Sequence, residues 1–164
     1  MQRQLTAKRL LRWALIGIAI VLAAVLALGN NVGYAKPAHA ASVRTITVVE
    51  HAITDTENPG INGKDVKGNI LTFNNPVYNP ANVKKVGHDE GFCTRIQPQQ
   101  HIWECLWTTF LKSGQITVEG PYYDNRNSVL SITGGTGAFR DSRGQMKLIS
   151  RDGGKEYDFV FELS

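Results

Sequence analysis

Beyond residue 42 the chain alternates between short runs of β-branched and aromatic residues and clusters of Gly, Asn, Asp and Pro. This alternation is typical of strands separated by turns, and no helical period is longer than a turn. Regular short strands of this kind favour a sandwich or a barrel, so the pattern predicts an all-β domain. The predicted strands are Val43 to His51, Ile70 to Phe73, Phe92 to Gln97, Trp103 to Leu111, Gln115 to Glu119, Ser128 to Thr133, Gln145 to Ser150 and Glu156 to Leu163.

The first 40 residues have a different pattern. Basic residues run to Arg12, and an uncharged apolar stretch follows from Trp13 to Leu28. A polar region then ends in Ala-His-Ala at residues 38–40, the small-x-small pattern of a signal peptidase site. We therefore predict a signal helix in residues 1–40, with cleavage after Ala40.

An uncleaved anchor is the alternative, since the apolar run, taken as residues 13–29, is only slightly short of a bilayer span. In both cases residues 42–164 form one domain outside the cytoplasm, either secreted or held at a membrane by that segment alone. An oxidising compartment of this kind permits a disulfide between the two cysteines of the chain.

The distribution of charge along the chain argues against one class of partner. The 18 Lys and Arg against 14 Asp and Glu give a net charge of +4, but residues 1–40 hold five of the basic residues and no acid. The domain that remains is close to neutral, which argues against a nucleic-acid partner. Sequence motifs for a nucleophile elbow, a zinc protease or a phosphate loop are absent, and the histidines lack metal-ligand spacing, so neither metal nor cofactor is expected.

The motifs of residues 114–148 carry a resemblance. This segment contains G-x-x-x-V-x-G-P-Y, then L-x-I-T-G-G-x-G-x-F, then G-Q-x-K-L. Upstream lie E-x(8)-P at residues 50–59, F-x-N-x-x-Y at residues 73–78 and G-x-x-x-G-x-C at residues 87–93. The ordered set resembles the allene oxide cyclase family over nearly the whole domain, and the related dirigent proteins share the GGTGxFR part.

The resemblance implies an eight-stranded antiparallel β-barrel around an apolar cavity, with assembly as a homotrimer possible. Cyclases of this family convert an unstable fatty-acid allene oxide into a cyclopentenone without a cofactor. Such a reaction needs a carboxylate near the developing cation, a polar anchor at the oxygen and a dry, shaped wall. The expected partner is therefore a small apolar ligand or substrate.

Carried over residue by residue, the resemblance implies two catalytic residues, Glu50 and Cys93. From the residues alone, the valines before Glu50 do not settle which face of the strand it takes, and Asn75-Pro76 is equally consistent with a turn. The resemblance also implies five substrate-binding residues, namely Pro59, Leu71, Phe73, Asn75 and Tyr122. Of these, the Pro and the Asn would hold a water against the epoxide oxygen.

Two departures from the family pattern affect the oxygen anchor. The family's second water-binding Asn is Ala52 here, and its Ser before the Pro is Asn58. The anchor is therefore incomplete or rebuilt. Shorter segments between the motifs, together with export in place of the plastid import of plant cyclases, indicate a different ligand.

The cysteines allow two interpretations. If a hairpin turns near Gln99, opposed residues have numbers that sum to about 198, and Cys93 and Cys105 meet this condition. A cross-strand disulfide between them would remove the free thiol that the resemblance assigns to Cys93.

Three functions remain open at this point. The leading hypothesis is an allene oxide cyclase-like isomerase acting on a reactive, fatty-acid epoxide-like substrate. The alternatives are a dirigent-like protein that guides stereochemistry, and a non-catalytic binder in which Glu50 faces water and Cys93 is bonded. An outward-facing Glu50 would rule out the cyclase hypothesis.

Overall fold

The computed structural model describes residues 43–58 and 63–164 of the chain. The predicted signal segment and Pro59 lie outside the described residues, so both remain predictions. Within the described part, no helix is long and apolar enough to cross a membrane. The secondary structure there consists of strands joined by turns and short 3-10 segments.

The strands form one antiparallel sheet that closes on itself. Its order is β1-β9-β8-β7-β6-β5-β4-β3, and β1 pairs with β3 to close an eight-stranded barrel; the short β2 adds to β3 outside the closure. The predicted eight-stranded antiparallel barrel is therefore confirmed. The strands are β1 Arg44–His51, β2 Thr56–Asn58, β3 Ile70–Tyr78, β4 Lys85–Gln97, β5 Ile102–Leu111, β6 Gly114–Tyr123, β7 Ser128–Gly135, β8 Gly144–Arg151 and β9 Glu156–Leu163.

The two contacts of β1 differ in length. All eight residues of β1 have register partners in β9, from Arg44 with Leu163 to His51 with Glu156. Against β3 the register contains only Val49 with Tyr78 and Glu50 with Val77. The barrel therefore closes through two residue pairs, and one of those residues is Glu50.

Alternating side chains of every barrel strand fill the interior. In a strand, residues two apart share a face, and most of the inward set is apolar, with a few buried polar residues among it. Aromatic rings dominate the centre: Trp107 lies 5.5 Å from Phe159, and Phe159 lies edge-on to Phe161 at 6.2 Å. The buried apolar core consists of Val48, Val77, Cys93, Trp103, Cys105, Trp107, Ile116, Val118, Leu130, Ile132, Phe139, Met146, Leu148, Phe159, Phe161 and Leu163.

Three predicted strand boundaries are wrong by more than two residues, namely the end of β3, the start of β4 and the end of β6, which continues past Glu119 to Tyr123. The sequence pattern ends the second strand at Phe73 and starts the next at Phe92, whereas β3 continues to Tyr78 and β4 begins at Lys85. The turn lies later, where the Asn79 side chain accepts hydrogen bonds from the amides of residues 83 and 84. Asn75 does not form a turn because its amide is buried and bonded inside the barrel wall.

An arginine links the β4–β5 hairpin to two adjoining segments. Arg95 is buried, stacks on its cross-strand partner Trp103 at 3.9 Å and donates to Asp65 and Asp124, each at 2.8 Å. Asp124 also accepts from the Trp103 indole and bonds His101. Partial burial raises the pKa of Asp124, but the hydrogen bonds to its carboxylate lower it by more. The pKa of Asp124 therefore lies below its ordinary value. The network is structural and lies apart from the cavity lining.

Candidate functional site

A cavity lies inside the barrel. Its volume is about 40 Å³. Ligand pockets in proteins usually measure roughly 300–1,000 Å³, so the space for a ligand is small in this conformation. The lining residues are Glu50, Asp55, Leu71, Phe73, Cys93, Cys105, Trp107, Tyr122, Leu148, Tyr157 and Phe159.

One wall of the cavity is aromatic. Phe73 and Trp107 meet edge to face at 6.0 Å, and the Trp107 ring also contacts Phe159. Gly91 makes this arrangement possible, because it lies opposite Trp107 in the β4–β5 register and a side chain there would overlap the Trp107 backbone and Cβ. The wall is thus apolar and shaped by ring packing.

Glu50 points into the cavity. It lies on the same face of β1 as Val48, and only 5% of the residue is exposed. Its Oε1 accepts a hydrogen bond of 2.8 Å from the Asn75 side chain. Burial raises the pKa of Glu50 from 4.5 to about 7; the Asn75 bond lowers it, and the nearby Asp55 charge raises it. A carboxyl in this state holds or releases a proton near neutral pH.

Asn75 organises the carboxyl groups around it. Its amide nitrogen donates to Glu50 at 2.8 Å and to Asp55 at 2.6 Å, which uses both hydrogens. Its carbonyl oxygen accepts from the amides of Ile53 and Thr54 and from the Thr54 hydroxyl. Asn75 is fully buried and lies outside the cavity lining. Its side-chain donors hold Glu50 and Asp55 and have no hydrogen left for a ligand or a bound water.

Asp89 is a buried acid that the sequence did not reveal. It is 0% exposed, and its Oδ1 accepts from the Asn75 backbone amide at 3.2 Å. Burial and the Glu50 charge raise its pKa from 3.8 to about 9. Within the described residues, its Oδ2 has no hydrogen-bond partner, and neither does the buried hydroxyl of Thr109, its cross-strand neighbour.

Two tyrosines lie beside Glu50. The hydroxyls of Tyr122 and Tyr157 are 2.9 Å apart, their rings meet edge to face at 6.1 Å, and both line the cavity. Tyr157 is the register partner of Glu50 on β9. Burial raises the pKa of both tyrosines, so both hydroxyls stay protonated. Tyr157 was missed from sequence, because its position beside Glu50 depends on how the barrel closes.

The two cysteines form a disulfide. Cys93 and Cys105 are direct register partners in the β4–β5 hairpin, as the hairpin arithmetic predicted. Both are buried, and both line the cavity. In this bonded state Cys93 has no thiol, so the catalytic role expected of it is replaced by a structural one in the cavity wall.

The barrel thus brings together most of the residues singled out from sequence. Five of them line one cavity, and Asn75 lies behind the carboxyl groups. The position of Pro59 lies outside the described residues. The five lining residues are Glu50, Leu71, Phe73, Cys93 and Tyr122.

Comparisons with known proteins agree with this architecture. The family model for allene oxide cyclase matches residues 39–151. Similar solved structures include a pyocyanin demethylase, with 22% identity and a TM-score of 0.65, covering 74% of this chain and 100% of that one. A pterocarpan synthase dirigent protein has 19% identity and a TM-score of 0.61, with coverages of 75% and 94%. The exo-specific intermolecular Diels-Alderase AbnU has 16% identity and a TM-score of 0.61, with coverages of 74% and 98%. At these identities the three structures establish a shared fold.

Proposed function

Since this chain belongs to the allene oxide cyclase family, we propose that it is a cyclase-like isomerase that closes a ring in a reactive apolar substrate held inside the barrel. Similar barrels include a demethylase, a dirigent protein and a Diels-Alderase, so the fold by itself does not select the reaction. The residues that line the cavity support this reaction.

The inward-facing Glu50 is the observation that carries the proposal. Opening of an epoxide creates a delocalised cation, and a carboxylate fixed beside it stabilises that charge most effectively where water is excluded. Glu50 is 5% exposed, is held by Asn75 and faces an aromatic wall. Its charge is therefore directed at the ligand.

The tyrosine pair supplies a second element, an anchor for the oxygen that becomes negative. Two hydroxyls carry two hydrogens, and the bond between Tyr122 and Tyr157 uses one of them. The other remains available to donate to an oxygen in the cavity. This donor takes the place of the water-holding residues that the sequence lacks at Ala52 and Asn58.

The size of the cavity restricts the substrate. A cavity of about 40 Å³ does not hold a long acyl chain in this conformation. The substrate is therefore either compact, or its chain enters as neighbouring side chains rearrange. A compact unsaturated epoxide is the better fit to the cavity as it stands.

The test is turnover of unsaturated fatty-acid epoxides of graded chain length, followed by chiral analysis of the cyclopentenone product. Wild type is expected to give enantiomeric excess and Glu50→Gln a product close to racemic. Glu104→Gln is the matched control, since Glu104 is an exposed acid on the outer face of the barrel. Equal yield and enantiomeric excess in wild type and Glu50→Gln would refute the role of Glu50.

A second candidate function is binding of a small apolar molecule without catalysis. The disulfide in the cavity wall favours it, since it replaces a reactive thiol by an inert surface. Isothermal titration with the cyclopentenone and with a saturated analogue separates the two functions. Tight binding of both, with no turnover of any epoxide, supports the binder and refutes the isomerase.

A further inference from the structure

The cavity acid has a buried companion. Glu50 is 5% exposed and Asp89 0% exposed, and one residue connects them, since Asn75 donates from its side chain to Glu50 and from its backbone to Asp89. Among the ion pairs of the described residues, none includes Glu50 or Asp89. Two carboxyl groups thus lie in a dry interior with no cation bonded to either.

The surroundings do not provide a positive charge. Around Glu50 lie Asp55, joined to it through the Asn75 amide, and Tyr157 from β9. Asp89 faces Asn75 from β3 and the unpartnered hydroxyl of Thr109 from β5. Each of these groups is neutral or negative near neutral pH. The two carboxyls both bond Asn75, and the Glu50 charge raises the pKa of Asp89, so they lie close enough to interact. Two like charges in a low-dielectric interior repel strongly, so the two carboxyls do not ionise together at neutral pH.

We propose that Glu50 and Asp89 share one proton and act as a single acid–base pair, in which Asp89 stores the proton and Glu50 meets the ligand. The Asp89 Oδ2, buried and unpartnered within the described residues, is the atom that carries the proton. With the proton on Asp89, Glu50 is a carboxylate. When Glu50 accepts a proton from the ligand, a ligand–H bond breaks, an O–H bond of Glu50 forms, and one negative charge passes from the pair to the ligand. Return of that proton to the ligand restores the Glu50 carboxylate, and Asp89 keeps its proton throughout.

Asp89 is thus a positioning residue that acts through Glu50. The inference deepens the proposed function, since it rests on Glu50 as the carboxylate of the cavity, and it adds that the reaction includes a proton transfer between the ligand and this carboxylate. It also indicates a ligand that gains or loses a proton, such as an enol or enolate formed during ring closure.

The experiment is a ¹³C NMR titration of the side-chain carboxyls in the full chain without ligand, from pH 4 to pH 10. In the wild type, the Glu50 resonance is expected to show two steps, near pH 7 and near pH 9, because each group senses the proton of the other. An Asp89 resonance that titrates near pH 4 would overturn the proposal without any variant.

Two variants test whether the step near pH 9 belongs to Asp89. Asp89→Asn keeps a donor beside Glu50 but cannot ionise, so the step near pH 9 is expected to disappear while the step near pH 7 stays. Glu90→Gln is the matched control, since Glu90 is the adjacent exposed residue of β4, and both steps are expected to remain. Two unchanged steps in Asp89→Asn would refute the shared proton.

The result is independent of the function assay. A shared proton in a protein that turns over no epoxide leaves the acid–base pair standing and refutes the isomerase. Turnover that depends on Glu50, in a protein whose Asp89 titrates near pH 4, supports the isomerase and refutes the pair.

Discussion

Removal of the Cys93–Cys105 disulfide is expected to destabilise the barrel by about 3 kcal/mol. The bond joins residues with a sequence separation of 12, and the entropy of closing a loop of that length in the unfolded chain corresponds to about 3 kcal/mol at 25 °C. The folded state changes less, because the cysteines are already register partners in the β4–β5 hairpin. The predicted loss therefore arises mainly in the unfolded chain.

The assay is equilibrium unfolding in urea at pH 7, with oxidised and reduced wild type compared. A domain of this size loses roughly 1–2 kcal/mol of stability per molar urea, so the midpoint is expected to fall by about 2 M on reduction. Cys93→Ala with Cys105→Ala should reproduce the fall, with an added loss from the missing buried sulfurs. Midpoints of oxidised and reduced protein within about 0.3 M of each other, with reduction verified by thiol titration, would refute the reasoning.

Three further predictions concern buried polar groups. Burial raises the folded-state pKa values of Glu50 and Asp89 to about 7 and about 9. The stability that the two protonated carboxyls contribute is therefore complete below about pH 4 and is lost as pH rises through those values, by roughly 1.4 kcal/mol per pH unit and proton. In unfolding curves from pH 5 to 9, the Glu50→Gln, Asp89→Asn double variant should lose this decrease of stability with pH. Asn75→Ala should cost about 3 kcal/mol in urea unfolding, because it leaves backbone amides and carboxyls without partners, and a loss below about 1 kcal/mol would contradict this. Arg95→Met should cost about 2 kcal/mol and raise the pKa of Asp124 in an NMR titration, with Arg95→Lys intermediate in both measurements.

The strand pattern predicted the all-β class, because a sheet with one buried face imposes a period of two that is visible in one sequence. The choice of a barrel over a sandwich came from the resemblance to the allene oxide cyclase family. The strand pattern also located the cysteine pair, since a hairpin fixes which residues face each other once its turn is placed. It did not locate the end of β3. Asn74-Asn75-Pro76 has the composition of a turn, and only the hydrogen bonds of Asn75 to distant residues make it part of a strand.

The site was harder to predict than the fold. Val48, Val49 and Glu50 are all buried, so alternation does not assign Glu50 to a face. Asp89 lies in the stretch KVGHDEG, which is polar enough for an exposed loop. Its place inside the wall follows from pairing with β3 and β5, and the place of Tyr157 follows from pairing of the last strand with the first. Long-range contacts of this kind leave no local pattern in the sequence.

The pairing of β1 with β9 has a consequence for the order of events during synthesis. β1 forms eight register pairs with β9 but only two with β3, so the first strand made is stabilised chiefly by the last. As the nascent chain emerges, the meander from β3 to β8 can form, but β1 remains unpaired with β9 until β9 has been made. The barrel thus cannot close before β9 has been made, and until then the chain is at most an open sheet with two unpaired edges.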